Sequence, residues 1–172
     1  MDLTHAAPFL EYWEKVRGRT RRVVERIPEE HLEWSWEPGR FTLGDYVRHL
    51  AGIERWMYAE NAMRRPSRYP GHGRELASGL PAVRDYFERL HAESMAIFRG
   101  LSDADFAARC VTPGGAEIGV GKWLRLMAEH EIHHRGQIYL SLAMRGVETP
   151  PLYGLTSEEV RAKSLPLEEE TS

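Results

Sequence analysis

The chain has 172 residues, 42% hydrophobic and 28% charged, which is the balance of a globular domain able to bury a core without disulfides. A formal net charge of -3 gives no basic field, so we expect no nucleic-acid partner. One cysteine, Cys110, excludes an intramolecular disulfide, and the absence of a leader-like segment or a long apolar run predicts a soluble, cytoplasmic protein with no membrane partner.

The first predicted helix runs from about Pro8 to Arg26, because apolar residues recur there at three- and four-residue steps. The Ile27-Pro28 dipeptide ends it. Glutamates are interleaved with its arginines, so we interpret the arginines as a solvated helix face rather than a nucleic-acid interface. These arginines are Arg17, Arg19, Arg21, Arg22 and Arg26.

A second helix is predicted from Thr42, since Asp45 follows three residues later as in a capping box. Its apolar stripe carries His49 on or beside it. The following segment, residues 64–81, is rich in proline, glycine and arginine and predicts a long surface loop.

The third helix is predicted to begin at Pro81 and to end near Gly100. Ser102 then predicts one short capped turn, and the glycine-rich residues 110–122 predict a loop or a small hairpin. The fourth helix runs from about Val120 to Arg145 and stops at a glycine.

Four long helices without a convincing series of strands predict an all-α protein, most simply a four-helix bundle. We expect residues 1–160 to form one domain and residues 161–172 to form a flexible C-terminal tail. The sequence shows no internal repeat.

Two histidines lie one turn apart on the fourth helix, at His130 and His134. They are separated by about 40° around the axis and share the apolar stripe of that helix. Two imidazoles at this spacing can meet one metal ion. A pairing of His130 with His133 is also geometrically feasible, but His133 points about 100° away from His134, toward a flank. We therefore favour the first pair.

A third metal ligand is expected from another helix, and His49 is the only suitable residue in the stripe of the second helix. A single core histidine is more often a hydrogen-bonded structural residue, yet burying an unpaired imidazole is costly. The sequence thus predicts a divalent transition metal held by His49, His130 and His134. Cys110 is a less favoured fourth ligand, so an open coordination position is expected, as in catalytic sites.

The position of other polar side chains around the helix axis indicates which of them lie near the histidine pair. Gln137 returns to the same face and is predicted to contact a substrate or a water at the metal, as the candidate catalytic residue. Glu129 and Glu131 point off the stripe and are interpreted first as solvated charges, second as partners of the imidazole N–H groups. Arg135 is expected on the surface.

Four segments of the sequence resemble the DinB-like (YfiT-like) metal-binding four-helix bundles, and together they cover most of residues 1–150. In that family a histidine late in the second helix and the outer two of an HxxxH motif bind nickel, zinc or a similar ion. The resemblance therefore implies the same ligands, His49, His130 and His134, with zinc or nickel expected first and iron, manganese or copper as alternatives. The segments are GRFTLGDYVRHLAGIERW, AEHEIHHRGQIYLSLAMRG, IPEEHLEWSWEPG and VTPGGAEIGVGKWLRLM.

The resemblance also implies an activity, because members include transferases that use thiols such as bacillithiol and a thiol-dependent maleylpyruvate isomerase. Our leading hypothesis is a metal-dependent S-transferase that joins a low-molecular-weight thiol to a small molecule in stress or detoxification. The arginine-rich loop Arg64–Arg74 would help to hold a charged cosubstrate. Alternatives are a metal-dependent hydrolase and a non-catalytic metal-binding stress-response protein. A homodimer is expected, since the chain has five Trp and seven Tyr.

Overall fold

Four long helical segments form the core of the computed structural model, which describes residues 5–165. The prediction of an all-α four-helix bundle is confirmed. The long helices are α1 (Ala6–Val24), α2 (Leu43–Ile53), α4 (Leu80–Arg99) and α6 (Val120–Met144). The shorter elements are α3 (Ala59–Ala62), α5 (Asp103–Ala107), α7 (Ser157–Lys163) and the strands β1 (Arg109–Val111) and β2 (Glu117–Gly119).

The start of α2 agrees with its sequence signal. Thr42 accepts a hydrogen bond from the Asp45 backbone N–H, and the Asp45 carboxylate accepts one from the Thr42 N–H, which completes a capping box. The glycine-rich segment forms an antiparallel hairpin in which Cys110 lies opposite Ile118. Because the hairpin leads directly into α6, it fixes where that helix begins.

The C-terminal region contains one further helix. The chain forms α7 after Thr156, whose side chain and that of Glu159 make another capping box. This helix ends at Lys163, within the range expected to form a flexible tail, residues 161–172, and the flexibility of that tail stays a prediction. Residues 166–172 lie outside the described part of the chain.

A π-helical turn, Glu54–Tyr58, joins α2 to α3 without a break in the helical rod. The sequence predicted a regular helix here, because a single wide turn leaves no periodic signal. In the structure both Glu54 and Tyr58 are buried. Such wide turns occur often near functional sites, and this one begins five residues after His49.

The long helices are arranged so that α2 packs against α4 and α6, while α1 packs against the same two helices from the other side. Consequently α1 and α2 lie diagonally opposite each other, and the connection between them, residues 25–42, crosses one end of the bundle. This arrangement places the inner faces of α2 and α6, which carry the histidines, directly against each other.

The core consists of two apolar clusters with a polar layer between them. On α1, for example, Val16 belongs to one cluster and Val23 to the other, and the buried Arg17 and Thr20 lie between them. Along the other three long helices and their extensions, the buried apolar residues likewise pass from one cluster to the other. The buried polar residues that stand between the clusters there are Glu54, in the π-helical turn that follows α2, His91, Ser94, Glu131 and Arg135.

This polar layer corrects three expectations about charged residues, since Arg135, which was expected on the surface, is also buried. Arg17 is fully buried rather than solvated, and it forms an ion pair with Glu54 and lies 3.5 Å from a carboxylate oxygen of Glu131. Glu131 is also buried, and its burial raises the pKa of its carboxyl group. Trp13 and His91 complete the shell of Glu54, at 3.0 and 2.9 Å. Burying these charges is tolerated because they face one another.

Among residues 5–165, no helix has both the length and the apolar character required to cross a lipid bilayer.

Candidate metal centre

The ring nitrogens of the three histidines meet between α2 and α6. The Nε2 atom of His130 lies 3.2 Å from Nε2 of His49 and 3.0 Å from Nε2 of His134. Their ligand atoms all fall within 4.8 Å of one another. Within residues 5–165, no other group of three histidine, cysteine or acidic side chains converges in this way. The structure thus brings together the three residues that the sequence nominated.

The spacing of these nitrogens fits a metal ion. Zinc binds imidazole nitrogen at about 2.0–2.1 Å, so two ligands at a tetrahedral angle stand roughly 3.3 Å apart. The two measured separations, 3.0 and 3.2 Å, lie close to that value. The donor set therefore fits a divalent transition metal, with the three nitrogens facing one point.

Hydrogen bonds at the opposite ring nitrogens orient two of the imidazoles. His134 Nδ1–H donates to the Gln137 side-chain oxygen at 2.5 Å, which leaves the Nε2 lone pair of His134 free to bind a metal. His49 Nδ1 is 2.6 Å from the hydroxyl oxygen of Tyr69. When Nδ1–H donates to that oxygen, Nε2 of His49 likewise presents its lone pair to the centre.

Burial keeps the three imidazoles neutral at pH 7. Loss of solvation, together with the neighbouring histidines, lowers the pKa of His49 to about 3. The same causes lower the pKa of His130 to about 4, and burial also lowers the pKa of His134. Because only a neutral imidazole can bind a metal, the folded chain holds its ligands in the required state.

The loop at residues 63–79 supplies two residues that the sequence analysis did not single out, Tyr69 and His72. Tyr69 contacts His49 as described, and its hydroxyl oxygen is 3.3 Å from His72 Nδ1. The His72 ring lies 4.0 Å from the ring of Phe41, between centroids. Arg48 holds this loop in place by donating to the carbonyl oxygens of His72 and Ala77.

Two arginines of the same loop pair with acidic residues rather than with the histidines. Arg64 pairs with Asp105, and Arg74 lies 3.8 Å from Glu33. Since the loop approaches the centre through Tyr69 and His72, its proposed role in holding a charged cosubstrate stays a prediction.

The other residues considered for the site from the sequence lie in different places. Gln137 contacts His134 and so orients a predicted metal ligand. Its catalytic role stays a prediction. His133 is exposed and lies outside the group of three. Cys110 is buried in β1 and also lies outside that group, so the less favoured fourth ligand is absent from the described cluster. Glu129 is exposed near Arg125.

A cavity of about 370 Å³ opens beside His134. Several aromatic side chains line it together with one cation, Arg40, which also pairs with Glu37. No carboxylate of the described residues lines it. The lining residues are Trp36, Gly39, Arg40, Phe41, Tyr46, His134 and Gln137. A small molecule can therefore reach His134 from this side.

The family model of the DinB superfamily matches residues 12–138, well over half of the chain. The chain belongs to the DinB superfamily. All three histidines fall inside the matched range, so the resemblance noted from the sequence is confirmed.

Individual proteins of Bacillus subtilis are similar to this chain over most of their length. YrdA is 22% identical over 152 residues, which cover 88% of this chain and 89% of YrdA. The crystal structure of the DinB-like protein YjoA matches with a TM-score of 0.70 at 16% identity, covering 86% of this chain and 98% of that one.

YfiT of Bacillus subtilis matches with a TM-score of 0.66 at 19% identity, covering 83% of this chain and 89% of YfiT. It is described as a probable metal-dependent hydrolase with an unusual four-helix bundle topology. At these identities the structural matches establish the DinB-like fold.

Proposed function

We propose that this DinB-superfamily protein is a metal-dependent enzyme in which His49, His130 and His134 hold a divalent ion, zinc or nickel in the first instance. The reaction we propose is the transfer of a low-molecular-weight thiol to a small electrophile. The observation that carries the proposal is the convergence of three neutral Nε2 atoms, with no carboxylate among them, beside an accessible cavity.

When bound, a divalent ion lowers the pKa of a thiol or a water molecule that coordinates it, and so supplies a nucleophile at neutral pH. The residues of the chain prepare the site for this chemistry. Tyr69 and Gln137 orient the imidazoles of His49 and His134. The rings of Phe41 and Tyr46 restrict water beside the histidines, and Arg40 can attract an anionic group of a substrate.

Charge favours a thiol as the reacting ligand. Three neutral imidazoles leave the two positive charges of the ion uncompensated, and a thiolate is an anionic, soft ligand that suits zinc and nickel. No carboxylate of the described residues lines the cavity to act as a general base. A thiol that ionises on the metal needs less help from such a base than a hydrolytic reaction does.

A hydrolase is the second candidate, and the likeness to YfiT favours it. Tyr69 and His72, which lie next to His49, are groups that can exchange a proton with a leaving group. This reading requires the loop that carries them to take part in the reaction.

One set of assays distinguishes these functions. The protein is loaded with zinc, nickel or manganese, and conjugation of monochlorobimane with bacillithiol, glutathione or mycothiol is followed beside hydrolysis of a nitrophenyl ester. We expect metal-dependent conjugation that His130→Ala abolishes and His133→Ala, a change of an exposed residue on the same helix, preserves. Ester hydrolysis alone would favour the hydrolase. The absence of metal-dependent turnover with every thiol would contradict the transferase.

A further inference from the structure

A second cavity, of about 560 Å³, lies between α6 and residues 149–157. Its walls are mainly apolar and include Ile132 and Tyr139 of α6 together with Leu152 and Leu155 of the C-terminal segment. The lining positions of α6 project roughly 180° away from His130 around the helix axis. This cavity, called here the rear groove, is therefore separated from the histidines by the body of α6.

Arg135 lies at the base of the rear groove and is only 3% exposed. Its guanidinium donates to the carbonyl oxygen of Val16 and to the hydroxyl oxygen of Tyr153, each at 3.2 Å. Among residues 5–165 no carboxylate pairs with it, and Glu131, one turn earlier, is directed to Arg17 instead. A buried cation without a counter-charge is costly unless an anion reaches it.

Two arginines of α1 and one that follows this helix add positive charge on this side of the bundle. Among residues 5–165, the side chains of Arg19, Arg22 and Arg26 donate hydrogen bonds to backbone carbonyl oxygens and not to carboxylates. Arg19 also lies 5.2 Å from the ring centre of Tyr153. Within residues 5–165, the buried arginines elsewhere, Arg17 and Arg48, face carboxylates, whereas the arginines on this side have no acidic partner.

We propose that the rear groove binds a small organic carboxylate with an apolar body. The carboxylate would pair with Arg135, and the apolar part would lie along Ile132, Tyr139 and Leu152. The volume is within the range of pockets that bind small molecules. A medium-chain fatty acid and an aromatic acid share this chemistry. Because the site is on the opposite face of α6, its ligand does not depend on the metal.

The groove can be blocked without harming the fold at Gly136. This residue is exposed in α6, lines the groove, and has no atom within 4 Å of the position of an added Cβ. Gly136→Leu therefore places a side chain in the rear groove, and a non-glycine residue also suits a helix interior better. Arg135→Met is the complementary change, since it removes the charge and keeps much of the side-chain volume.

The test uses the full chain carrying His134→Ala and kept in a chelator, so that no carboxylate can bind through a metal. Octanoate, 2-naphthoate and the neutral octanol are titrated by calorimetry. We expect saturable binding of at least one acid at one site per chain, with octanol about tenfold weaker or more. Tighter binding of octanoate would identify the ligand as a fatty acid, and tighter binding of 2-naphthoate would identify it as an aromatic acid. Either result supports the proposal.

The two variants complete the test. Gly136→Leu should weaken acid binding about tenfold or more while the melting temperature stays the same or rises, and Arg135→Met should remove the preference for acid over octanol. Failure of both acids to bind, equal binding of octanol, or unchanged binding by Gly136→Leu would overturn the proposal. Light scattering that shows a dimer which Gly136→Leu dissociates, without acid binding, would show instead that a second copy covers the groove.

Discussion

Single side chains outside the three histidines decide how well the site is prepared for a metal. Tyr69 is the clearest case, because its hydroxyl lies 2.6 Å from Nδ1 of His49 and thereby fixes which ring nitrogen faces the centre. Partners of this kind, which touch a ligand and not the ion, commonly contribute about 10- to 100-fold to metal affinity.

We expect Tyr69→Phe to weaken zinc affinity by about 10- to 100-fold, because His49 loses the acceptor of its Nδ1–H. Competition with a chromophoric chelator measures the change. Tyr139→Phe is the matched control, since this tyrosine lies on the rear side of α6 and should bind zinc as the wild type does. An unchanged affinity in Tyr69→Phe would show that the hydroxyl does not orient the ligand.

The lowered pKa values of the histidines predict a pH dependence for the metal-free protein. The pKa of His49 falls from 6.5 to about 3 on folding, so between these values the unfolded chain binds a proton that the folded chain does not. The contribution of neutral His49 to the free energy of unfolding is complete above pH 6.5 and is lost as the pH falls toward 3. The free energy of unfolding of the metal-free protein, kept in a chelator, should therefore decrease from pH 7 to pH 5.

Urea unfolding at these two pH values checks this, with His49→Ala and His133→Ala as the test and the control. The decrease in the free energy of unfolding from pH 7 to pH 5 should be smaller in His49→Ala than in the wild type. In His133→Ala it should equal that of the wild type. A loss of the same size in all three proteins would mean that His49 does not titrate differently in the two states.

At the scale of the helices, the polar layer connects the elements that carry the metal ligands. Arg17 of α1 reaches Glu54, five residues beyond His49, and Glu131, the neighbour of His130. The guanidinium thus stabilises the spacing of the two helices that present the histidines. Removing one member of such a buried group leaves the others uncompensated, which is far more costly than losing an exposed pair.

We expect Arg17→Met to lower the free energy of unfolding by about 3–5 kcal/mol, because two buried carboxylates lose their cation. Arg21→Met removes an exposed arginine of the same helix that pairs with Glu88, and should cost about 1 kcal/mol or less. Both are measured by urea unfolding. Adding Glu54→Gln and Glu131→Gln to Arg17→Met should restore much of the loss, and no restoration would contradict the charge explanation.

The helices also show which features the sequence could predict. Periodicity and the capping box at Thr42 located α2, because both signals lie within one element. Arg17 and Glu131 were assigned to solvent, because a charge that is neutralised by another helix looks in the sequence like any surface charge. The π-helical turn was missed since one wide turn has no period.

The same limit applies to the candidate site. His130 and His134 were paired from their spacing on one helix, and His49 was added from its position on another apolar stripe. Tyr69 and His72 lie in a loop without periodicity, so only the folded chain shows that they reach His49. Local patterns therefore identified the ligands, and tertiary structure identified the residues that orient them.

At the scale of the whole molecule, a metal at this site would link α2 to α6, two helices that are far apart in the sequence. A ligand that binds only the folded state stabilises it according to its concentration, by about 4 kcal/mol at 1,000 times its dissociation constant. For a chain of this length that corresponds to an increase of about 8–16 °C in melting temperature.

We expect zinc or nickel at such an excess to raise the melting temperature of the wild type by about this amount over the protein in a chelator. His49→Ala should remove most of the increase, because α6 alone then offers two ligands and the link to α2 is lost. His133→Ala should retain it in full, as an exposed neighbour outside the centre. Scanning calorimetry measures all three. A metal-induced increase that persists in His49→Ala would place the ion elsewhere, and its absence from the wild type would remove the basis for a metal-dependent reaction.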